Sequence, residues 1–203
     1  MFKPLNKDAE IAKSRRNLPS WQQPGCTYFI TWRLADSVPA FQLKEWEAAR
    51  KAFRAAHPEL DWSEETWQEY HREITRRMEK YLDAGYGACV LQYGRLRQIV
   101  AEALGCFAGS RWELGSYVLM PNHVHVLLTP ASGFSLSDVL KSIKRHTARE
   151  INRMTGQTGA PLWQEESFHH AVRSAAQLLK FQKYIRDNPA KAGLAEGTFT
   201  VGP

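Results

Sequence analysis

Between Tyr117 and Pro130 the chain reads Tyr-Val-Leu-Met-Pro-Asn-His-Val-His-Val-Leu-Leu-Thr-Pro. Apolar and β-branched residues flank a Pro-Asn pair. Two strands are therefore predicted, Trp112 to Met120 and His123 to Thr129, joined at Pro121-Asn122. Side chains alternate along a strand, so His123 and His125 face one side while Val124 and Val126 face the other. Val118, Leu119, Val126, Leu127 and Leu128 plant these histidines in the middle of a sheet, where polar groups need partners. Two imidazoles about 7 Å apart on one face can hold a single divalent ion through one nitrogen each. The competing reading is two ordinary histidines on a half-exposed strand. A His/His pair alone suits zinc, whereas an added oxygen ligand and open positions suit Mg2+ or Mn2+ bridging a phosphate. No Asp or Glu lies within the motif.

The rest of the chain supplies the layers for that sheet. Residues 1–24 are polar, basic and interrupted by Pro4, Pro19 and Pro24, which reads as an arm. Thr27 to Leu34 is aromatic and β-branched and reads as a first strand. From Gln42 to about Ala84 two helices are predicted, split near His57-Pro58, with Ser63 and neighbouring acids to start the second. Trp46, Phe53, Trp62, Trp67, Tyr70 and Ile74 give them an apolar side. A helix over Gln92 to Leu104 follows. Another carries Leu136, Val139, Leu140, Ile143 and Ile151 on one face and is capped by Ser135 or Ser137. Extended pieces around Leu162-Trp163 and Phe168 to Val172 precede a last helix, Ala175 to Asn188, expected to stop at Pro189. Strands and helices interleave without Gly-rich βα turns. The fold class expected is α+β, an antiparallel sheet with packed helices.

With 203 residues the chain suits one domain, or one domain with a helical insertion. Its 43% hydrophobic and 24% charged residues are those of a folded soluble protein rather than a disordered one. No apolar run approaches the roughly 20 residues of a bilayer span, and Met1 to Arg16 has no apolar core of a secretory signal. Cys26, Cys89 and Cys106 are scattered and odd in number, which argues against a disulfide framework and against a thiolate zinc site. A reducing cytoplasm is expected, with no membrane partner. The formal net charge is +6, and Gly133 to Lys191 holds ten Lys/Arg against five Asp/Glu, nearly the whole excess. Lys13, Arg15 and Arg16 add to it from the arm. A nucleic acid is the favoured partner.

On the last helix Leu178, Phe181 and Ile185 define a buried stripe. Tyr184 and Asn188, four apart, stack on an adjoining face that Gln177 shares and Lys180 flanks. Tyr184 is either a boundary aromatic or a nucleophile. Asn188 either ends the helix or lends a carbonyl oxygen to the ion held by the histidines. A phenol of pKa near ~10 is mostly protonated at neutral pH. As a nucleophile it needs nearby positive charge.

Three stretches taken in order, Tyr117–Pro130, Leu162–Arg173 (LWQEESFHHAVR) and Tyr184–Leu194 (YIRDNPAKAGL), resemble the single-tyrosine HUH transposases. The closest branch is the REP-associated tyrosine transposases of the IS200-like superfamily. Tyr28–Pro39 (YFITWRLADSVP) is similar to the family's opening strand, and the 42–84 helices look like an insertion. The resemblance implies one HUH endonuclease domain over residues 1–203, with a ferredoxin-like antiparallel core. It also implies cleavage of single-stranded DNA beside an imperfect hairpin through a 5′-phosphotyrosine, with rejoining by a 3′-OH and no ATP. By position it assigns Tyr184 as nucleophile, His123 and His125 as ligands of Mg2+ or Mn2+, and Asn188 as the third polar ligand, where many relatives carry Gln. Arg15 and Arg16 become candidates for reading bases beside the hairpin. Lys141, Lys144, Arg145, Lys180 and Lys183 become candidates for tracking its backbone. His169 and His170 acquire no role beyond structure. A bacterial, nucleoid-associated cytoplasmic protein is implied, monomer or homodimer.

The alternative from another class is a catalytically inactive, structure-specific DNA-hairpin binder that keeps the basic faces and does not need Tyr184. A zinc-dependent hydrolase is disfavoured, because no His-Glu-x-x-His frame is present.

Overall fold

A computed structural model describes residues 2–5, 12–14, 20–23, 25–58 and 62–203, without the side chains of residues 12–14, 20–22, 64 and 71. Strands β1 (Ala12–Ser14) and β2 (Ser20–Gln22) form a small antiparallel pair. The aromatic run after them is β3, Tyr28–Arg33. Helix α1 (Ala40–Ala56) follows. Next come α2 (Glu64–Tyr70), a π-helical turn (His71–Thr75) and α3 (Arg76–Asp83), which continue one another. Then come α4 (Gly94–Cys106), β4 (Trp112–Leu119), β5 (His123–Pro130) and α5 (Leu136–Thr155). The described chain closes with β6 (Phe168–Ala171), α6 (Ala175–Lys191) and β7 (Thr200–Gly202).

The main sheet is antiparallel with order β6-β3-β5-β4-β7. Helix α4 connects β3 to β4, and α5 connects β5 to β6. That β-α-β-β-α-β path through strands ordered four-one-three-two is the ferredoxin-like arrangement that the resemblance implied. Strand β5 lies in the middle, and all eight of its residues are buried. A strand this apolar must be covered on both faces, and two clusters do so. Ile30, Trp32, Val124, Val126 and Leu128 pack against Leu96, Val100 and Leu104 of α4 and Val139, Leu140 and Ile143 of α5. On the other face Phe29, Val118, Met120 and Leu127 pack against Leu178, Phe181 and Ile185 of α6. Ser135 starts α5 by accepting from the Asp138 N–H at 3.0 Å.

Helix α6 differs from expectation. It runs through Pro189 to Lys191 instead of stopping before the proline. The ring removes one donor, but its fixed φ suits a helix. The last turn survives because the Ala192 N–H reaches the Asn188 carbonyl and the Leu194 N–H reaches the Pro189 carbonyl, both at 3.0 Å. Gly193, at φ +63°, then ends it. Edge strand β7 was not foreseen. It is pinned by Arg97, 6% exposed, whose guanidinium donates to Thr200 Oγ1 (2.8 Å), the Leu91 carbonyl (2.8 Å) and the Gly197 carbonyl (2.7 Å).

The 42–84 helices have their own apolar clusters. Phe53, Trp62, Tyr70 and Ile74 form one, with Trp46 and Trp67 against it. Val38, Met78 and Leu82 form the other. The Arg50 guanidinium ties α1 to the loop before β6 through Glu166, at 2.7 Å.

Candidate functional site

Register fixes the neighbours of the histidines. Thr31 lies opposite His125 and Arg33 opposite His123, while Val118 pairs with His125 from the other side. Directly opposed residues share a face, so both imidazoles point toward α6. They are 1% and 2% exposed. His123 Nδ1 meets Asn122 Oδ1 at 2.7 Å, and His125 Nδ1 meets Thr31 Oγ1 at 2.7 Å. The two Nε2 atoms converge at 3.1 Å. The Asn122 amide nitrogen is in turn used on the Leu82 and Tyr86 carbonyls, each at 3.1 Å. Its oxygen can therefore only accept, which assigns the His123 proton to Nδ1 and leaves Nε2 a free lone pair. The Thr31 hydroxyl can donate or accept, so His125 can present its Nε2 lone pair to the same point. Burial pushes His123 down to about 3, and burial plus the adjacent His123 hold His125 well below the ordinary range. Both imidazoles are thus neutral, the state that ligation requires.

Helix α6 brings up the tyrosine. Its first turn is capped by Ser174, which accepts from the Gln177 N–H at 3.2 Å. One face then turns Leu178, Phe181 and Ile185 onto the sheet. The adjoining face sets the Tyr184 ring edge-on to His125, with centroids 5.1 Å apart, and to Phe29 at 5.7 Å. The Tyr184 hydroxyl donates to Glu79 Oε1 at 2.9 Å. Burial raises the Tyr184 phenol, the Glu79 carboxylate and Asp83 raise it further, and only the Asn188 amide works the other way. Asn188 is 3% exposed, and its Oδ1 is buried without a hydrogen-bond partner among the described residues. Such an orphan costs about 1–3 kcal/mol.

That orphan bears on whether a metal fits. Among the described residues no three His, Cys, Asp or Glu side chains group as a ready-made cage. What α6 and β5 offer is two converging imidazole nitrogens and, one helical turn beyond Tyr184, an amide oxygen lacking a partner. Imidazole nitrogens and a neutral carbonyl oxygen, with room left for water or phosphate, are donors that divalent ions take. These donor types fit a divalent cation.

An open groove of about 1880 Å³ runs past the site. His125, Tyr184 and Glu79 line it together with Arg33, and Lys141, Lys144, Arg145, Lys180 and Lys183 line it too. All five predicted backbone-tracking residues therefore share one concavity with Tyr184. They are not equivalent. The Lys144 ammonium donates to the Gln164 carbonyl (2.6 Å) and the Glu165 carbonyl (2.8 Å), and burial lowers it to about 8. It braces the loop before β6. Lys183 pairs with Asp187 at 2.7 Å. Arg15 and Arg16 lie outside the described residues.

Sequence reasoning missed four residues here. Asn122 stood in view beside His123. Thr31 could be assigned only once the β3–β5 register was known. His170, across from Phe29 on β6, turns toward α6, where its Nε2 meets the Gln177 amide nitrogen at 2.9 Å. Glu79 comes from α3, 105 residues away from Tyr184, and carries no local signal.

Residues 92–188 match the family model of IS200-like transposases. That stretch covers a little under half of the chain. It contains His123, His125, Tyr184 and Asn188, and it leaves out β3 and the 42–84 helices. A solved REP-associated tyrosine transposase bound to a REP hairpin is 17% identical with a TM-score of 0.49, over 91% of this chain and 76% of that one. A protein from Deinococcus radiodurans R1 assigned as a transposase is 16% identical with a TM-score of 0.35, over 87% of this chain and 98% of that one. Comparison with curated proteins gave no match. Among the described residues no helix is long and apolar enough to cross a membrane.

Proposed function

We propose that this chain is an IS200-like transposase, a metal-dependent single-strand DNA endonuclease and strand transferase that cuts and rejoins DNA beside REP-type hairpins through a 5′-phosphotyrosine. The observation that carries it is the convergence of the two histidine Nε2 atoms beside the Tyr184 ring, with the Asn188 Oδ1, unpartnered among the described residues, one turn along the same helix. On this reading residues 1–203 form one domain, with a basic arm over 1–24 and an insertion over about 42–84.

His123, His125 and Asn188 would hold Mg2+ or Mn2+, which when bound supplies positive charge against the phosphate oxygens and the developing transition state. The chain's own residues do the rest. Burial keeps the histidines neutral, and Asn122 and Thr31 aim them. Helix α6, clamped to the sheet by Phe181 and Ile185, holds Tyr184 at the edge of the groove for in-line attack on phosphorus. The basic wall from Lys141 and Arg145 to Lys180 attracts the DNA backbone and makes binding salt-sensitive. Because the phosphotyrosine keeps the energy of the broken ester, a 3′-OH can reverse the attack.

The test is a pool of single-stranded oligonucleotides, each with an imperfect hairpin and randomised flanks, incubated with the full chain and Mn2+. Wild type is expected to give a covalent protein–DNA adduct on a denaturing gel, and Tyr184→Phe to bind without forming one. Adduct formation by Tyr184→Phe refutes the nucleophile. Binding without cleavage by either protein favours the inactive hairpin binder.

A further inference from the structure

We infer that Glu79, supplied by the inserted helix α3, is the general base that takes the Tyr184 proton during strand cleavage. The inference rests on Tyr184 as nucleophile and adds the group that activates it. A phenol of ordinary pKa near ~10 attacks poorly at neutral pH unless a base within hydrogen-bond reach, about 2.6–3.2 Å, removes its proton as the new bond forms. Glu79 Oε1 accepts the Tyr184 hydroxyl at 2.9 Å, and Glu79 lines the same groove as His125 and Tyr184. A base meant to act on an incoming phosphate must be open to the groove in this way.

The other neighbours are unsuited to the task. His123 and His125 aim their Nε2 atoms at each other and have their Nδ1 atoms occupied by Asn122 and Thr31. Asn188 is an amide and not a base. Lys191, whose ammonium lies 5.3 Å over the Tyr184 ring, is a cation that favours phenolate without accepting a proton. Asp83, one turn beyond Glu79 on α3, acts on Tyr184 through its charge, whereas the hydrogen bond is made by Glu79.

In the forward step the Tyr184 oxygen bonds to phosphorus and its proton passes to the Glu79 carboxylate. The bond from phosphorus to the 3′ oxygen breaks, and that oxygen keeps the electron pair and takes a proton from solvent. Glu79 releases its proton to solvent. In rejoining, the 3′-OH attacks phosphorus and gives up its proton to solvent, while Glu79, reprotonated from solvent, returns a proton to the departing phenolate. The insertion, outside the stretch matched by the transposase family, would thus complete the active site.

The measurement is single-turnover adduct formation by the full chain, with the hairpin oligonucleotide cleaved by wild type and Mn2+. Glu79→Gln, which keeps size and an acceptor but is not basic, is expected to slow the reaction by about 10²-fold or more. Its half-saturating DNA and Mn2+ concentrations should stay at wild-type values. Glu79→Asp should retain part of the rate, and Glu79→Ala should be revived by added formate, which a merely structural carboxylate would not allow. A Glu79→Gln rate within about threefold of wild type overturns the inference, being far short of a general base's share. So does a rate restored by raising Mn2+, which would make Glu79 a metal ligand, or a rate above wild type, which would make it a latch on Tyr184. Tyr184→Phe run in parallel separates the two ideas. If it forms adduct, the nucleophile is wrong; if it is inert while Glu79→Gln is fast, only the base is wrong.

Discussion

Asn122 and Thr31 each occupy the outer nitrogen of one histidine, and on the proposed function their removal should be felt in metal affinity before it is felt in the fold. Thr31→Val keeps the shape and deletes the hydroxyl that meets His125 Nδ1 at 2.7 Å. Loss of such a partner costs about 10–100-fold in metal affinity. Mn2+ titration followed by electron paramagnetic resonance should report a fall of that size, with the melting curve little changed. The same imidazoles set an acid limit on the chelator-treated protein. In the unfolded chain they take up protons below about pH 6.5, whereas folded His123 does so only near 3. Stability from the neutral pair is therefore complete above the unfolded pKa and is lost as the pH falls below it, because only the unfolded state gains protons. At pH 5 this amounts to at most about 2 kcal/mol per histidine. Urea midpoints should drop between pH 7 and 5, and Mn2+ should oppose the drop.

Among the elements, β7 is held by two fittings, and both can be broken singly. A methyl at Gly202 would fall into the Tyr117 ring that lies across it. Gly202→Ala should cost about 1–3 kcal/mol, as overpacking does. Hydrogen exchange should quicken at Tyr117 to Leu119, the stretch that β7 covers. Arg97→Leu deletes the guanidinium but leaves the Leu91 and Gly197 carbonyls buried or half-buried without it. A loss of about 1–3 kcal/mol for each unsatisfied group makes this the more damaging change by urea denaturation. Helix α6 is robust where a proline looked fatal. Its last turn is carried by the Asn188 and Pro189 carbonyls, and the missing Pro189 N–H costs a single bond.

At the scale of the whole molecule, the basic groove and the buried site are walls of one space formed by α1–α3, α5, α6 and the sheet. Lys141, Arg145 and Lys180 face that space, whereas Lys144 is used on the loop before β6. Replacing Lys141, Arg145 or Lys180 with Ala should weaken hairpin binding and reduce the salt slope by roughly 0.7–0.9 per residue that contacts a phosphate. Lys144→Ala should instead lower stability. Filter binding across a salt series, read beside a urea melt, separates the two behaviours.

The sequence alone determined what short-range chemistry can encode. Alternation put His123 and His125 on one face, helical spacing put Tyr184 beside Asn188, and the interleaving of strands and helices restricted the fold to an α+β sheet. Resemblance in three motifs joined these into one site before any contact was known. Tertiary structure decided what depends on register and on distant packing. The β3–β5 pairing chose Thr31 as the partner of His125, the docking of α6 left the Asn188 oxygen buried without a partner among the described residues, and Arg97 recruited an edge strand. It also brought Glu79 to the Tyr184 hydroxyl across 105 residues. No local pattern could signal that contact, since α3 shows in sequence only the amphipathic spacing of a helix that needs something to pack on. Tyr184 could be singled out along the chain; the carboxylate that meets it became visible only when the chain was folded.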